Sequence, residues 1–266
     1  MLVCNPLGIK TFPILDDHFP FLNDDFASFV SQECVDIWSV SLNDFRHQFV
    51  AFHDLLSAEE RTRLAQFLFA RHRERYVLEH GTRRIVLAAY LREKPATIEF
   101  SYGPFGKPEI KHASDRSTPC ALSFSNAGTE DLALIAIKPG ASVGIDVERV
   151  RQLAELNEIA ARCFSKRERR LLADLAFEKR TTYFFFLWTA KEAVLKATGE
   201  GITRNLENVE VIMESDDCDS AHAIDRCDPH TKWLIQRFFP RPGYIASIAL
   251  REGSYAVRHR QLVTSQ

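Results

Sequence analysis

Ser165-Lys166-Arg167-Glu168-Arg169, followed by Leu172, repeats a pattern used 108 residues earlier, where Ser57-Ala58-Glu59-Glu60-Arg61 is followed by Leu64. In each, a serine at the N-cap and a glutamate three residues on satisfy each other's free amides at a helix start, so each box predicts a helix. The same shift lays Val86 on Val194 and Leu87 on Leu195. Each box also precedes a long helix, over roughly 71–91 and 180–198, whose apolar content requires burial. Strands are expected at Val35–Val40, Thr97–Tyr102 and Ala133–Ile137 in the first part, and at Ser142–Val147, Val209–Met213, Thr231–Phe238 and Tyr244–Leu250 in the second. The chain therefore reads as α+β, two similar α+β halves related by a pseudo-twofold axis. Residues 1–140 form one half with an extended, proline-punctuated lead-in to about residue 33, and residues 141–266 form the other. Two ordinary helix starts without duplication are the competing reading. Clefts between such halves favour ligands.

Composition narrows the function. With 45% hydrophobic and 26% charged residues in a 266-residue chain, sizeable cores can form. A formal charge of -2 from 34 basic and 36 acidic residues argues against bulk capture of nucleic acid, so any anion must meet a local basic cluster. No apolar stretch approaches a membrane helix, and the start lacks a signal-peptide pattern; a cytoplasmic chain with reduced cysteines is expected. The run Tyr183–Trp188 is too short to span a bilayer and reads as buried helix. Cys218, His222, Cys227 and His230 crowd the polar stretch 216–229, read either as an exposed loop or as a zinc site of non-standard spacing.

Chemistry concentrates elsewhere. In Val143-Gly144-Ile145-Asp146-Val147-Glu148 the two acids are two apart on a strand and share a face. In Trp188-Thr189-Ala190-Lys191-Glu192-Ala193-Val194-Leu195-Lys196, Glu192 and Lys196 share a helical face. Alone, these are a charged strand face and an ordinary (i, i+4) pair. Together, three carboxylates with flanking lysines suit Mg²⁺ bound beside a diphosphate. Phe105-Gly106-Lys107-Pro108 is a glycine turn presenting a lysine, and Leu122 to Gly128 runs from strand-like alternation into a small polar turn at Phe124-Ser125-Asn126.

Taken in order, G-K-P at 106–108, F-S-N at 124–126, V-G-I-D-V-E at 143–148, F-S-x-x-E at 164–168 and W-x-x-K-E-A-x-x-K at 188–196 resemble the Sfp-type 4′-phosphopantetheinyl transferases, in the branch marked by W and K-E-A. The similarity runs from about Val35 to Leu250. It implies a monomeric protein of pseudo-twofold 4′-phosphopantetheinyl transferase fold, with coenzyme A in the cleft between its halves. Asp146, Glu148 and Glu192 match that family's Mg²⁺ ligands, with Mn²⁺ as a substitute ion. Lys191 and Lys196 match residues on the coenzyme A phosphates, Lys107 and Pro108 the nucleotide loop, and Ser125 and Asn126 the loop at the 3′-phosphate side. Arg63 and Arg75 fall where the family places basic groups for coenzyme A. The implied reaction is attack by a serine of an apo acyl, peptidyl or polyketide carrier protein on the β-phosphorus of coenzyme A, releasing 3′,5′-ADP. Lys196 would support the diphosphate, and either Glu192 or Glu168 would take the serine proton. Two departures stand out: Asn126 replaces the usual histidine, and Glu60 stands where some relatives carry lysine. A coenzyme A-binding regulator without transfer, and a Mg²⁺-dependent enzyme acting on another nucleotide diphosphate, are the rival readings.

Overall fold

The protein is described from a computed structural model that places residues 10–14 (backbone only), 33–111, 122–201, 206–213, 219–253 and 255–264. Its elements run β1 (Lys10–Ile14), β2 (Cys34–Ser41), α1 (Phe49–Asp54), α2 (Ala58–Leu64), α3 (Ala70–Leu91), β3 (Phe100–Tyr102), β4 (Pro108–Ile110), β5 (Leu122–Thr129) and β6 (Leu132–Pro139). Then follow β7 (Val143–Arg149), α4 (Leu156–Cys163), α5 (Lys166–Asp174), α6 (Phe177–Thr198), β8 (Val209–Met213), β9 (Ser220–Asp225), β10 (Asp228–Phe238), β11 (Tyr244–Arg251) and β12 (Ala256–Thr264). Both capping boxes form: Ser57 Oγ accepts the Glu60 amide at 3.2 Å while Glu60 accepts the Ser57 amide at 2.9 Å, and Ser165 and Glu168 repeat this at 3.2 and 2.7 Å. The long helices α3 and α6 have 22 residues each and both end on a left-handed residue, Arg92 and Gly199.

Two five-stranded sheets, ordered β1-β12-β2-β6-β5 and β7-β11-β10-β9-β8, carry the repeat. Within them β2-β6-β5 and β7-β11-β10 are corresponding antiparallel triplets. Strand alternation sends one set of side chains to each sheet's own helix and the other set between the sheets. Trp38, Val40, Ile135 and Ile137 pack with α3. Val209, Ile235, Ile245 and Ala249 pack with α6. Val35, Ile37, Leu134, Val143, Ile145, Val147 and Ile248 fill the layer where the halves meet.

The division at residue 140 is departed from at the C-terminus: β12 leaves the second half and pairs parallel with β2. The cause lies in β2, whose edge away from β6 needs a partner and whose buried Asp36 needs cations. Arg258 and Arg260 of β12 supply them at 2.7 and 3.0 Å, while Tyr90 donates to the same carboxylate at 2.6 Å. Two loop expectations also change. Residues 220–225 form β9 because Ala221 and Ala223 alternate inward onto the α6 core, so much of the 216–229 stretch is a hairpin. The Phe124–Gly128 segment is continuous strand β5, and the reversal comes at Glu130-Asp131. The first-half strand expected from Thr97 is short, because a 3₁₀ turn opened by Pro95 holds residues 95–97.

Candidate active site

Gly144 sets the geometry. A Cβ there would lie 1.8 Å from the Ala193 carbonyl oxygen and 2.6 Å from the Ala197 amide nitrogen, so β7 rests directly on the α6 backbone. Alternation then turns Asp146 and Glu148 to the same side as Gly144, toward the helix that carries Glu192 and Lys196. Lys196 Nζ donates to Asp146 Oδ1 at 2.7 Å, whereas the buried Asp146 Oδ2 has no hydrogen-bond partner. Burial raises the pKa of all three carboxyls: Asp146 despite Lys196, Glu148 further through Asp146, and Glu192 further through both acids. Lys196 on Asp146 and the more distant Arg151, 3.8 Å from Glu148, leave the three acids with excess negative charge in a partly desolvated place. Among the described residues no three His, Cys, Asp or Glu side chains already form a metal cage. The donor set and the unpartnered buried oxygen nonetheless suit a hard divalent ion, which retains water ligands and needs no closed cage.

Beside this cluster, Gly106, Lys107, Pro108, Phe124, Ser125, Asn126 and Lys196 line a cavity of about 200 Å³ between the first half and the end of α6. Gly106, at φ +82°, closes the β3–β4 turn that presents Lys107. Lys107 Nζ donates to Ala197 O at 3.0 Å, a cation at a helix C-terminus, and burial lowers its pKa. Asn126 is exposed. Ser125 is buried, and its Oγ accepts the Ile145 amide of edge strand β7 at 3.2 Å, so it joins the halves.

Lys191, Glu168, Arg63 and Arg75 do not line this cavity. Lys191 is fully buried with its Nζ 2.7 Å from Glu168, and it donates to the Leu206 and Val209 carbonyls in the second-half core. Glu168 is equally buried, with its oxygens taken by Lys191 and the Ser165 and Val211 amides, so it has no access to a serine proton. The first-half counterpart is Glu60, held by Arg83, Arg84 and His80 at 2.7, 2.8 and 2.9 Å. These glutamates tie the capping boxes to the long helices. Arg63 is exposed on α2, and Arg75 pairs with Glu79 at 2.7 Å beside a separate cavity of about 440 Å³ lined by Arg46, Arg71, Glu130 and Asp131. Cys218 lies outside the described residues; His222 is on β9, and Cys227 and His230 are exposed along the hairpin. Sequence reasoning passed over Gly144, although a glycine inside a strand pattern is itself a signal of close backbone approach.

The carboxylate–lysine cluster of β7 and α6 lies in the second half of a duplicated α+β framework. The model of the 4′-phosphopantetheinyl transferase superfamily matches residues 142–249. The 4′-phosphopantetheinyl transferase HetI of Nostoc sp. is 36% identical over 179 residues, 67% of this chain and 74% of that protein. Sfp of Bacillus subtilis, also a 4′-phosphopantetheinyl transferase, is 28% identical over 193 residues, 73% of this chain and 81% of that protein. Among solved structures, a holo-(acyl-carrier-protein) synthase from Bacillus anthracis in complex with CoA (3′,5′-ADP) gives a TM-score of 0.34 at 20% identity, over 42% of this chain and 97% of that one. The chain belongs to the 4′-phosphopantetheinyl transferase family and is an enzyme of the Sfp type.

Proposed function

We propose that this transferase moves phosphopantetheine from coenzyme A to a serine of an apo acyl, peptidyl or polyketide carrier protein, and that Asp146, Glu148 and Glu192 hold the Mg²⁺ it uses. The observation that carries the metal reading is the buried, unpartnered Asp146 Oδ2 among three carboxyls whose pKa values are all raised. Bound there, Mg²⁺ or Mn²⁺ would neutralise diphosphate charge. Lys107 and Lys196 flank the adjoining cavity and fit the diphosphate and nucleotide of coenzyme A. Asn126, in place of a histidine, offers that ligand a hydrogen-bond donor that does not titrate.

In the transfer, the serine oxygen bonds to the β-phosphorus, the bond to the departing 3′,5′-ADP breaks, and the serine proton leaves. Glu192 is the base this reading favours. Glu168 is enclosed by its own partners, whereas Glu192 sits in the cluster with Asp146 and Glu148. Lys196, 2.7 Å from Asp146, steadies negative charge on the leaving diphosphate. Both halves of the site come from one chain, so a monomer suffices. No helix among the described residues is long and apolar enough to cross a membrane.

The test is to incubate the protein with coenzyme A, Mg²⁺ and a panel of apo carrier proteins and to weigh the carriers. A phosphopantetheine mass gain is expected on at least one carrier, lost in Glu192→Gln with the fold retained. No gain on any carrier overturns the reading, and a fully active Glu192→Gln overturns the assignment of Glu192.

A further inference from the structure

The turn between β5 and β6 belongs to the first half, yet its residues grip the metal-site strand of the second. Thr129 Oγ1 donates to Glu148 Oε2 at 3.3 Å, and the next residue, Glu130, accepts both contacts from Arg149 Nη1, at 2.8 and 2.9 Å. Two consecutive turn residues thus hold two consecutive residues of β7. Asp131 continues the grip by pairing with Arg241, and Tyr244 donates to both acids.

Glu130 occupies a costly conformation. It is one of two non-glycine residues with positive φ among those described, at φ 52° in a two-residue hairpin turn, where glycine is the favoured occupant. The Glu130–Arg149 pair does not offset that strain by much, since both side chains are about half exposed, at 45% and 53%, and such pairs contribute little. A glutamate set against its backbone preference, whose contacts are an exposed ion pair and one hydroxyl from Tyr244, points to a task other than stability.

We propose that Thr129 and Glu130 are positioning residues, which hold Glu148 across the boundary between the halves in the orientation that a divalent ion requires. This rests on the metal reading above. Thr129 orients the carboxylate directly, and Glu130 fixes the end of its strand through Arg149. Groups that orient a metal ligand are typically worth about 10–100-fold in metal affinity.

The experiment is Mn²⁺ binding to the full chain with coenzyme A present, followed by loss of the free-ion electron paramagnetic resonance signal, with thermal melts run in parallel. Thr129→Val should weaken Mn²⁺ by about tenfold at an unchanged melting temperature, and Thr129→Ser should restore it. Glu130→Gly should melt no lower than wild type, because it relieves the positive φ, and still bind Mn²⁺ more weakly. Variants that bind Mn²⁺ as wild type does, or a serine variant that fails to rescue, overturn the inference. A lower melting temperature with unchanged affinity assigns the turn a purely structural role and overturns it too. Wild type that binds no Mn²⁺ overturns the metal reading and this inference together, so the two failures are told apart.

Discussion

Gly144→Ala is the most direct test of how the strand and helix build the site. The added Cβ would stand 1.8 Å from a backbone oxygen of α6, where ordinary contact begins near 3.4 Å. Neither atom lies on a flexible side chain, so β7 and α6 must separate by about 1.6 Å. Overpacking of this kind typically costs about 1–3 kcal/mol. Because two backbones are forced apart here, about 4 kcal/mol is expected, which for a chain of this size lowers Tm by about 10 °C. The same separation moves Asp146 and Glu148 away from Glu192 and Lys196. A misplacement of about 1 Å costs roughly 100-fold in rate, so the surviving folded fraction should transfer at about 1% of wild type. Thermal melts and carrier mass gain at saturating Mg²⁺, corrected for folded fraction, measure both effects. A variant within about 2 °C of the wild-type Tm and within about twofold of its rate would refute the claim that backbone contact at Gly144 builds the site.

Asp146→Asn and Glu192→Gln should each abolish transfer while melting at or above the wild-type temperature. Their folded pKa values lie above the unfolded ones, so the charged forms oppose folding at neutral pH; Mg²⁺ should raise the wild-type Tm and leave both variants unmoved. Lys191→Met leaves Glu168 buried without its cation and should cost about 3–5 kcal/mol in a urea melt, largely recovered by adding Glu168→Gln, with KM for coenzyme A in the folded double variant within about twofold of wild type. For His80, burial lowers the pKa from 6.5 to about 4, so its stabilising neutral form is intact above pH 6.5 and lost as pH falls toward 4. Urea melts of wild type and His80→Gln at pH 7.5 and 4 should differ in their acid-induced loss by about 3 kcal/mol, and equal losses would refute it. Glu60 continues that acid sensitivity lower: burial raises its pKa, but hydrogen bonds and Arg83 and Arg84 win and hold it at about 2, so its contribution falls from pH 4.5 toward 2.

The duplication was legible because capping boxes and long buried helices are local signals, each decided by residues within a turn or two of one another. The pairing of Asp146 with Lys196 was partly legible, since both lie on motifs of fixed period. What escaped was decided by distant partners. Nothing near Lys191 in sequence distinguishes a phosphate ligand from a buried cation, because its fate is settled by Glu168 and by carbonyls 15 and 18 residues on. Nor does the polarity of Ser220 to Asp225 look like a strand until Ala221 and Ala223 are seen to meet α6. Similarly, β12 joins the first half because of Asp36, some 222 residues away.

The repeat also explains why, among the described residues, the first half holds no counterpart of this cluster. The shift of 108 residues that superimposes the boxes lays Asp146 on Trp38, Glu148 on Val40, Lys196 on Ala88 and Glu192 on Arg84. In the first half Trp38, Val40 and Ala88 are buried in the apolar core against α3, and Arg84 closes the Glu60 network. Equivalent positions thus complete a core in one half and hold a cluster of carboxyls with too few cations in the other. The exchange removes apolar burial from the second half and places like charges together there. Glu168 and Lys191 preserve the buried ion pair that Glu60 makes with Arg83, so the helix framework survives the change. Gly144 replaces the bulk of Asp36 and lets α6 close onto β7, which brings the charged residues together. The second half therefore holds its carboxylate cluster on a framework whose fixed points it shares with the first.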